Sequence, residues 1–483
     1  MFKTIRFLIF CLNASSLFSK ELFVDAAHGS DATSGDSRSS AFATIQKGVD
    51  ALTPGDTLTI LPGVYYEHVL MRNAGREDAR LLIRADKIQK GRVVITGSLP
   101  AFREGRVVWK LEDKELGLYS TAFPHRPYRL LVDGNDLFAY DDLDGLKRFR
   151  SWLDGKPSEY PGPSQGFAWV KSEEKLYVRL HASGRYGKPD PNGRSFGTSP
   201  TYTGTKNEPG LGPDYGFAVW PKPNGTSAWL LIEGITFETP ALCGVNTSAG
   251  DLIVRNCWFI GCRSGVQGSG QTRDQKDSAD RVLVENCEYH QFPAFDDMEE
   301  VIRLYENDAW RGERTNLNQK IYWWHRKNKG TGLWAYENGI VLKAGADWVV
   351  RRNWIHDAFE AVTGGGGPWS RNLRVEENLI ERMIDNAFET EDHSQGFQAR
   401  SNFIVDVFEP VSWQPLDGEP YPGSIIIEDN RFYVTPQRWN LWTEGARGIF
   451  KIGQERAPRP KSGEAWAPAS ASGTGFVARR NFV

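Results

Sequence analysis

The chain has 483 residues, of which 40% are hydrophobic and 25% charged, a composition that excludes a disordered or collagen-like protein. Its 58 Lys and Arg nearly balance its 61 Asp and Glu, so no basic excess indicates a nucleic-acid partner. The 17 Trp against 4 Met suit stacking on flat apolar faces such as sugar rings, although large aromatic side chains also simply fill a core.

Residues 1–19 have the pattern of a secretory signal peptide. Lys3 and Arg6 precede the apolar run FLIFCL, and the small residues NASS follow it, in the order that such signals require. The run is too short to span a membrane, and no later stretch has the pattern of a transmembrane helix. We therefore expect a cleaved signal, no membrane span, and a secreted or periplasmic product.

Residues 20–99 carry a recognisable opening, LFVDAAHGSDATSGDSRSSAFATIQKGVDALTPGDTLTILPGVYYE. It resembles the start of right-handed parallel β-helix proteins of the pectate-lyase-like superfamily. The resemblance implies a short helix that caps the first coils, which would otherwise expose an unpaired strand edge. That superfamily contains lyases, glycosidases, epimerases and non-catalytic proteins, so the resemblance implies a fold and a carbohydrate-active context rather than one reaction.

Residues 100–213 lack the repeat and are predicted to form an inserted small antiparallel β-domain. Trp109, Tyr119, Val132-Asp133-Gly134 and the LYVRL strand resemble the insertion of some β-helix glycosidases, where it leans over the groove. The alternative is that this segment, with its Gly- and Pro-rich stretch, acts only as a spacer.

Residues 214–483 contain a repeat, in which alternating apolar residues are followed by Asn and then one or two apolar residues. Asn353 and Asn378 are 25 positions apart, and Asn378 and Asn402 are 24 apart. Such a period with β-patterned segments predicts a solenoid of strands. We therefore predict an all-β fold, a right-handed parallel β-helix with an N-terminal capping helix and the inserted domain. The repeated Asn are Asn256, Asn286, Asn353, Asn378, Asn402, Asn430 and Asn481.

Columns of equivalent residues follow from aligning the repeats on these Asn. We expect the Asn themselves to stack at a bend where the chain enters the left-handed region, and free, buried thiols at Cys257 and Cys287. The positions expected in the core are Ile253, Leu283, Val350, Val375, Ala399, Ile427, Ala478, Ile355, Ile380, Ile404 and Phe432. The positions expected to form a surface ladder of alternating charge are Arg351, Glu376, Arg400, Glu428 and Arg479.

A second insertion, residues 291–346, interrupts the repeat. Its later part, KIYWWHRKNKGTGLWAYENG, is rich in aromatic residues, and long loops on a rigid repeat scaffold usually carry the binding site. We therefore predict that Trp323, Trp324 and His325 contact substrate. The alternatives are an oligomer contact or a loop folded on itself.

A Phe-Glu pair follows three successive Asn and supplies the candidate catalytic carboxylates. If each Phe points inward, Glu360, Glu389 and Glu409 point outward in one column. The middle coil adds Glu391 and Asp392 as catalytic candidates, and His356, His393 and Trp413 are predicted to bind substrate. Carboxylates on adjacent coils would be about 4.8 Å apart, close to the pair that retaining glycosidases need. The alternatives are exposed or Arg-paired Glu, or a Ca²⁺ site; no other cofactor is expected.

The sequence thus favours a polysaccharide-active protein, with glycoside hydrolysis as the first hypothesis. The alternatives are a polysaccharide lyase, which needs a cation and a base beside a uronate, and a non-catalytic glycan-binding protein. The last segment, FVARRNFV, matches a coil that would leave a strand edge open. We therefore expect either further sequence or self-association through that end.

Overall fold

The computed structural model describes residues 19–127, 129–153, 156–161, 165–181, 189–198, 215–221, 227–239, 242–268, 279–291, 339–363, 370–383, 385–390, 396–413, 425–436, 448–452 and 476–483. Within these ranges the chain winds through three long parallel sheets, here called sheets A, B and C, which it visits in that order on each coil. Successive strands of one sheet come from successive coils. This topology confirms the predicted parallel β-helix.

Each of the three sheets pairs one strand per coil with the next. Among the described residues, the strands of sheet A are Glu21–Val24, Thr57–Ile60, Leu81–Ala85, Ser227–Glu233, Gly250–Arg255, Leu283–Glu285, Val349–Arg351, Arg374–Glu376, Gln398–Arg400, Ile425–Glu428 and Phe476–Arg479. Those of sheet B are Gly63–Tyr65, Val93–Thr96, Thr236–Glu238, Trp258–Ile260, Glu288–His290, Trp354–Ala358, Leu379–Met383, Phe403–Val405 and Arg431–Tyr433. Those of sheet C are Val69–Met71, Tyr215–Val219, Cys243–Thr247, Ser264–Gly268, Val341–Leu342, Val362–Thr363, Phe388–Glu389, Val411–Trp413 and Phe450–Ile452.

A short helix, Ile45–Asp50, lies at the N-terminal end of the solenoid. The Thr44 hydroxyl caps it by accepting a bond from the Lys47 N–H at 3.2 Å, as expected for a helix N-cap. Ile45 and Val49 are buried in the same apolar cluster as the first strands. The helix therefore covers the first coils, as the resemblance implied.

Between the first coils and the later ones, the chain forms antiparallel strands with their own apolar clusters. The buried Arg129 donates to the carbonyl oxygen of Gln291 at 2.5 Å and to that of Gly261, which ties this part to the solenoid. Its strands are Lys110–Asp113, Leu118–Ala122, Leu130–Val132, Asn135–Asp136, Arg150–Leu153, Lys156–Pro161, Gly166–Val170, Lys175–Arg179 and Phe196–Thr198. Its helices are Pro100–Arg103 and Leu143–Arg148, and a 3-10 turn, Arg38–Ser40, precedes the capping helix.

The later Asn residues form the predicted ladder between sheets A and B. The side-chain oxygen of Asn378 accepts from the Asn353 N–H at 2.9 Å, and Asn402 does the same for Asn378 at 3.0 Å. The series continues through Asn430 to Asn481. Because these amides replace water for buried backbone groups, they fix the bend on every later coil.

The predicted position of the left-handed residue, however, is wrong by one in the later coils. The residue before each ladder Asn has positive φ, as at Arg352 (54°) and Glu377 (56°). In the two earlier coils, Asn256 and Asn286 themselves take this conformation. Non-glycine residues tolerate it because the bend is fixed from both sides.

The first two Asn were therefore aligned one residue off the ladder. Val254 and Val284 are in register with Val350, so Ile253 and Leu283 are half-buried outward positions and not core positions. Cys287 takes the place on the ladder, and its N–H donates to the Asn353 side chain at 2.9 Å. Ala478 on the last coil is exposed rather than buried.

The other predicted columns are confirmed. Ile355, Ile380, Ile404 and Phe432 are in register and buried. Cys243, Cys257, Cys262 and Cys287 are free and buried. The charge ladder from Arg351 to Arg479 is in register on sheet A.

Candidate functional site

The candidate carboxylates lie where the chain turns from sheet B into sheet C. Val362, Phe388 and Val411 are in register on three successive coils of sheet C, with Phe388 in the middle. Glu389 is therefore in register with Thr363 and Ser412. The single column of three Glu is a wrong prediction, because the buried sheet residues set the register.

Two residues before these buried positions stand Glu360, Asn386 and Glu409. The Asn386 amide donates to the Glu409 carbonyl oxygen at 2.5 Å, which joins these two coils directly. Asn386 is buried, and its side-chain oxygen has no hydrogen-bond partner among the residues the structure describes. An unpaired buried acceptor of this kind is uncommon in a folded protein.

Glu360 is buried, contrary to the outward direction that the sequence predicted. Its carboxylate accepts a hydrogen bond from the Thr363 hydroxyl at 2.9 Å. Phe359 beside it is also buried, because both residues lie in the turn rather than on a pleated strand with alternating faces. Glu389 and Glu409 are half-buried, so each is accessible to solvent on one side.

Asp385 is a carboxylate of this site that the sequence reasoning missed. It is buried, its N–H donates to the Phe359 carbonyl oxygen at 2.9 Å, and its own carbonyl accepts from the Glu409 N–H at 3.2 Å. Asp385 and Glu409 therefore lie on adjacent coils at the same turn. No sequence signal distinguishes Asp385 from a solvated turn residue.

The carboxylates Glu360, Asp385, Glu389 and Glu409 thus occupy three adjacent coils, at or just before the start of the sheet C strands. This side of sheet C is here called its carboxylate edge. Adjacent coils are about 4.8 Å apart and alternate coils about 9.6 Å. These are close to the two separations of paired carboxyl groups in glycosidases, roughly 5–5.5 Å and 6.5–9.5 Å. The edge can therefore supply an acid and a second carboxylate to a bond lying across it.

Six of the predicted site residues lie outside the described residues. They are Glu391, Asp392 and His393 on the middle coil, and Trp323, Trp324 and His325 in the second insertion. Their roles stay predictions.

His356 lies on sheet B, away from the sheet C strands that carry Glu389. Its Nδ1 is 2.6 Å from an oxygen of Asp357, and its Nε2 is 3.4 Å from Glu288. Arg382 binds both oxygens of Asp357, at 2.8 and 2.9 Å, and Lys90 pairs with Glu288 at 2.5 Å. This network clamps successive coils just before the turn that holds Glu360 and Asp385.

The charges of this network stabilise one another. Burial lowers the pKa of His356, but its bonds to Asp357 and Glu288 outweigh burial and raise the pKa above its ordinary value. Burial raises the pKa of Asp357, but His356 and Arg382 bring it below the ordinary value. The pKa of Glu288 is likewise lowered, since the bonds from His356 and Lys90 exceed the effect of burial.

Trp413, predicted to bind substrate, is partly buried against the core and stacks on Phe476 with ring centroids 5.2 Å apart. This position favours a packing role. Within the described ranges no group of three or more His, Cys, Asp or Glu could hold a metal ion, and the Ca²⁺ alternative stays a prediction. Across the same ranges, no helix is long and apolar enough to cross a bilayer.

Comparison with known proteins finds similar solved structures at low identity. No family model matches the chain, and no curated protein matches it. A structure of XylC with xylose has 13% identity and a TM-score of 0.45, over 85% of this chain and 68% of that one. A glycoside hydrolase has 13% and 0.45, over 92% and 98%. Pectate lyase Pel9A has 9% and 0.40, over 92% and 79%.

Proposed function

We propose that this protein is an exported, polysaccharide-active enzyme, and that it is a glycoside hydrolase acting at the carboxylate edge of sheet C. The observation that carries the proposal is the pairing of Asp385 and Glu409 on adjacent coils through the 3.2 Å backbone bond. That spacing of about 4.8 Å suits a retaining mechanism, which needs roughly 5–5.5 Å.

The two carboxylates take different roles because their surroundings differ. Asp385 is buried and its backbone is held by both neighbouring coils, so it suits the nucleophile, which must be fixed against the anomeric carbon. Glu409 is half-buried and suits the acid and base, which must exchange protons with water.

The proposal is tested with Asp385→Asn and Glu409→Gln on purified protein screened against a panel of polysaccharides by a reducing-end assay. Each variant is expected to lose activity at least about 100-fold, with an unchanged unfolding midpoint. Glu376→Gln, on sheet A of the middle coil, is the matched control and should keep full activity. Wild-type activity in either site variant would overturn the assignment.

A lyase is kept as a second candidate because of one observation. Lys451 is in register with Ser412 on sheet C, two coils beyond Glu389, where a cation could neutralise a uronate carboxylate. A lyase would release unsaturated products that absorb in the ultraviolet without adding water, and Lys451→Met would abolish that absorbance. A protein that releases no product from any glycan would support the non-catalytic alternative.

A further inference from the structure

Sheet B carries an outward column in which aromatic residues occupy every second coil. Trp258, Trp354, Phe403 and Phe482 belong to this column, here called the aromatic stripe. In the strand register, one residue lies between each two neighbouring aromatic residues. Leu379, for example, pairs with Trp354 on one side and with Phe403 on the other. On either side, Glu288 separates Trp258 from Trp354, and Arg431 separates Phe403 from Phe482.

The rings of the aromatic stripe are open to solvent. Trp354 is 41% exposed, Phe403 45% and Phe482 64%, and Trp258 is half-buried. Large apolar side chains exposed in a row indicate a binding surface rather than chance, because single exposed hydrophobics are normally scattered.

Trp354 is held as a fixed platform. One of its faces stacks on the His356 ring, with centroids 4.0 Å apart and planes inclined by 26°. Its indole N–H donates to Glu381 at 2.7 Å. His356 is itself fixed by Asp357 at 2.6 Å. The remaining face of the indole therefore has a set orientation, and little conformational entropy is lost when a ligand stacks on it.

The spacing of the stripe selects the ligand. Neighbouring strands are about 4.8 Å apart, so the rings repeat at about 9.6 Å and the four span about 29 Å. In an extended β-linked polysaccharide such as cellulose or chitin, successive rings are turned over and alternate rings present the same face at a closely similar interval. A wound α-linked chain such as amylose presents no such straight row.

The coils between the aromatic rings can supply polar contacts to a bound sugar. Arg431 is exposed on the coil between Phe403 and Phe482, where its guanidinium group can bond the hydroxyls at the edge of a sugar, as polar groups do around aromatic sugar platforms. We propose that the aromatic stripe binds one extended β-linked glycan chain along the solenoid axis. This surface lies on sheet B, separate from the carboxylates of sheet C, and does not depend on the proposed hydrolysis.

The test is a depletion assay in which the full-length purified protein is mixed with insoluble cellulose, chitin or amylose, and the unbound fraction is measured. We expect binding to cellulose or chitin and none to amylose. Phe403→Ala should weaken binding about two- to tenfold, as for the loss of one aromatic contact, and Trp354→Ala with Phe403→Ala at least about tenfold. Trp229→Ala on sheet A is the matched control and should bind like the wild type.

Further arms separate the alternatives. The assay is repeated in the Asp385→Asn background, so that turnover or loss of it does not affect the result, and Phe403→Ala alone keeps the test valid if Trp354→Ala disturbs the fold. Wild-type protein that binds neither cellulose nor chitin, or a double variant that binds them as tightly as the wild type, would overturn the proposal. Light scattering that shows stripe-dependent self-association would assign the surface to a second copy of the chain instead.

Discussion

His356 shows how one side chain can link charge to stability. Its pKa is raised, so its stabilising contribution is fully present below its ordinary value of 6.5 and is lost as pH rises through the raised value. The pKa of Glu288 is lowered from 4.5, so Glu288 stays ionised from pH 4.5 upward, over the range in which His356 is charged. We expect the free energy of unfolding lost in His356→Gln to be largest between pH 4.5 and 6.5 and to shrink at higher pH.

Urea unfolding of the wild type and the variant at several pH values measures this difference. His68 gives a control of opposite sign, because burial lowers its pKa while its bond to the Tyr215 carbonyl only partly offsets this. The contribution of His68 should therefore fall as the solution becomes more acidic. A His356→Gln difference that stays constant with pH would contradict the assigned ion pairs.

At the scale of the repeating element, the Asn ladder should be costly to break. Asn402 accepts from the Asn378 N–H at 3.0 Å and donates to the Val375 carbonyl at 2.9 Å, and it is buried. Asn402→Ala leaves these two groups without partners, at about 1–3 kcal/mol each, so we expect a loss of at least about 2 kcal/mol in urea unfolding. Asn481→Ala, at a half-buried position, should cost clearly less because water reaches it. Equal losses would contradict this account.

The same ladder shows how far the sequence could predict the fold. Asn353 to Asn481 were identified because one residue type recurs in one apolar pattern, and each coil needs it for the same buried backbone groups. Asn256 and Asn286 follow the same sequence pattern but lie one residue before the ladder position, since the buried Val254 and Val284 set their register.

The candidate site was harder to predict for a related reason. The Phe-Glu pairs look equivalent, but Phe388 lies in a strand of sheet C, whereas Phe359 and Phe408 lie in the turn before it. One extra apolar residue in a turn shifts every following side chain, and periodicity alone cannot reveal it. Asp385 was missed because nothing in the pattern of Asp and Asn distinguishes a fixed turn residue from a solvated one.

For the whole molecule, coils that contact only their neighbours should unfold in part before they unfold together. Ile380→Ala removes buried side-chain volume from a later coil, at a cost of about 2–5 kcal/mol. The described cysteines, of which Cys287 is the last, lie in earlier coils. We therefore expect Ile380→Ala to lower the first unfolding midpoint while these thiols stay unreactive to Ellman's reagent until a later transition.

Phe237→Ala is the matched control, because Phe237 is buried in the coils that carry the thiols and stacks on Phe259 at 5.3 Å. Here thiol reactivity should rise together with the first transition. A single transition that exposes the thiols equally in both variants would mean that the solenoid unfolds as one cooperative unit.

The Asn ladder also gives assembly a direction. Each Asn side chain serves the coil before its own: Asn378 accepts from Asn353 and donates to Val350, and Asn353 does the same for Cys287 and Val284. Each newly made coil therefore completes the hydrogen bonds of the coil before it. Its own buried backbone groups are paired only when the next coil supplies its Asn. Since synthesis runs from the N-terminus, the solenoid can fold coil by coil in chain order, starting from the end that the helix covers. A coil that brings its own Asn could be duplicated during evolution without redesign of its neighbours.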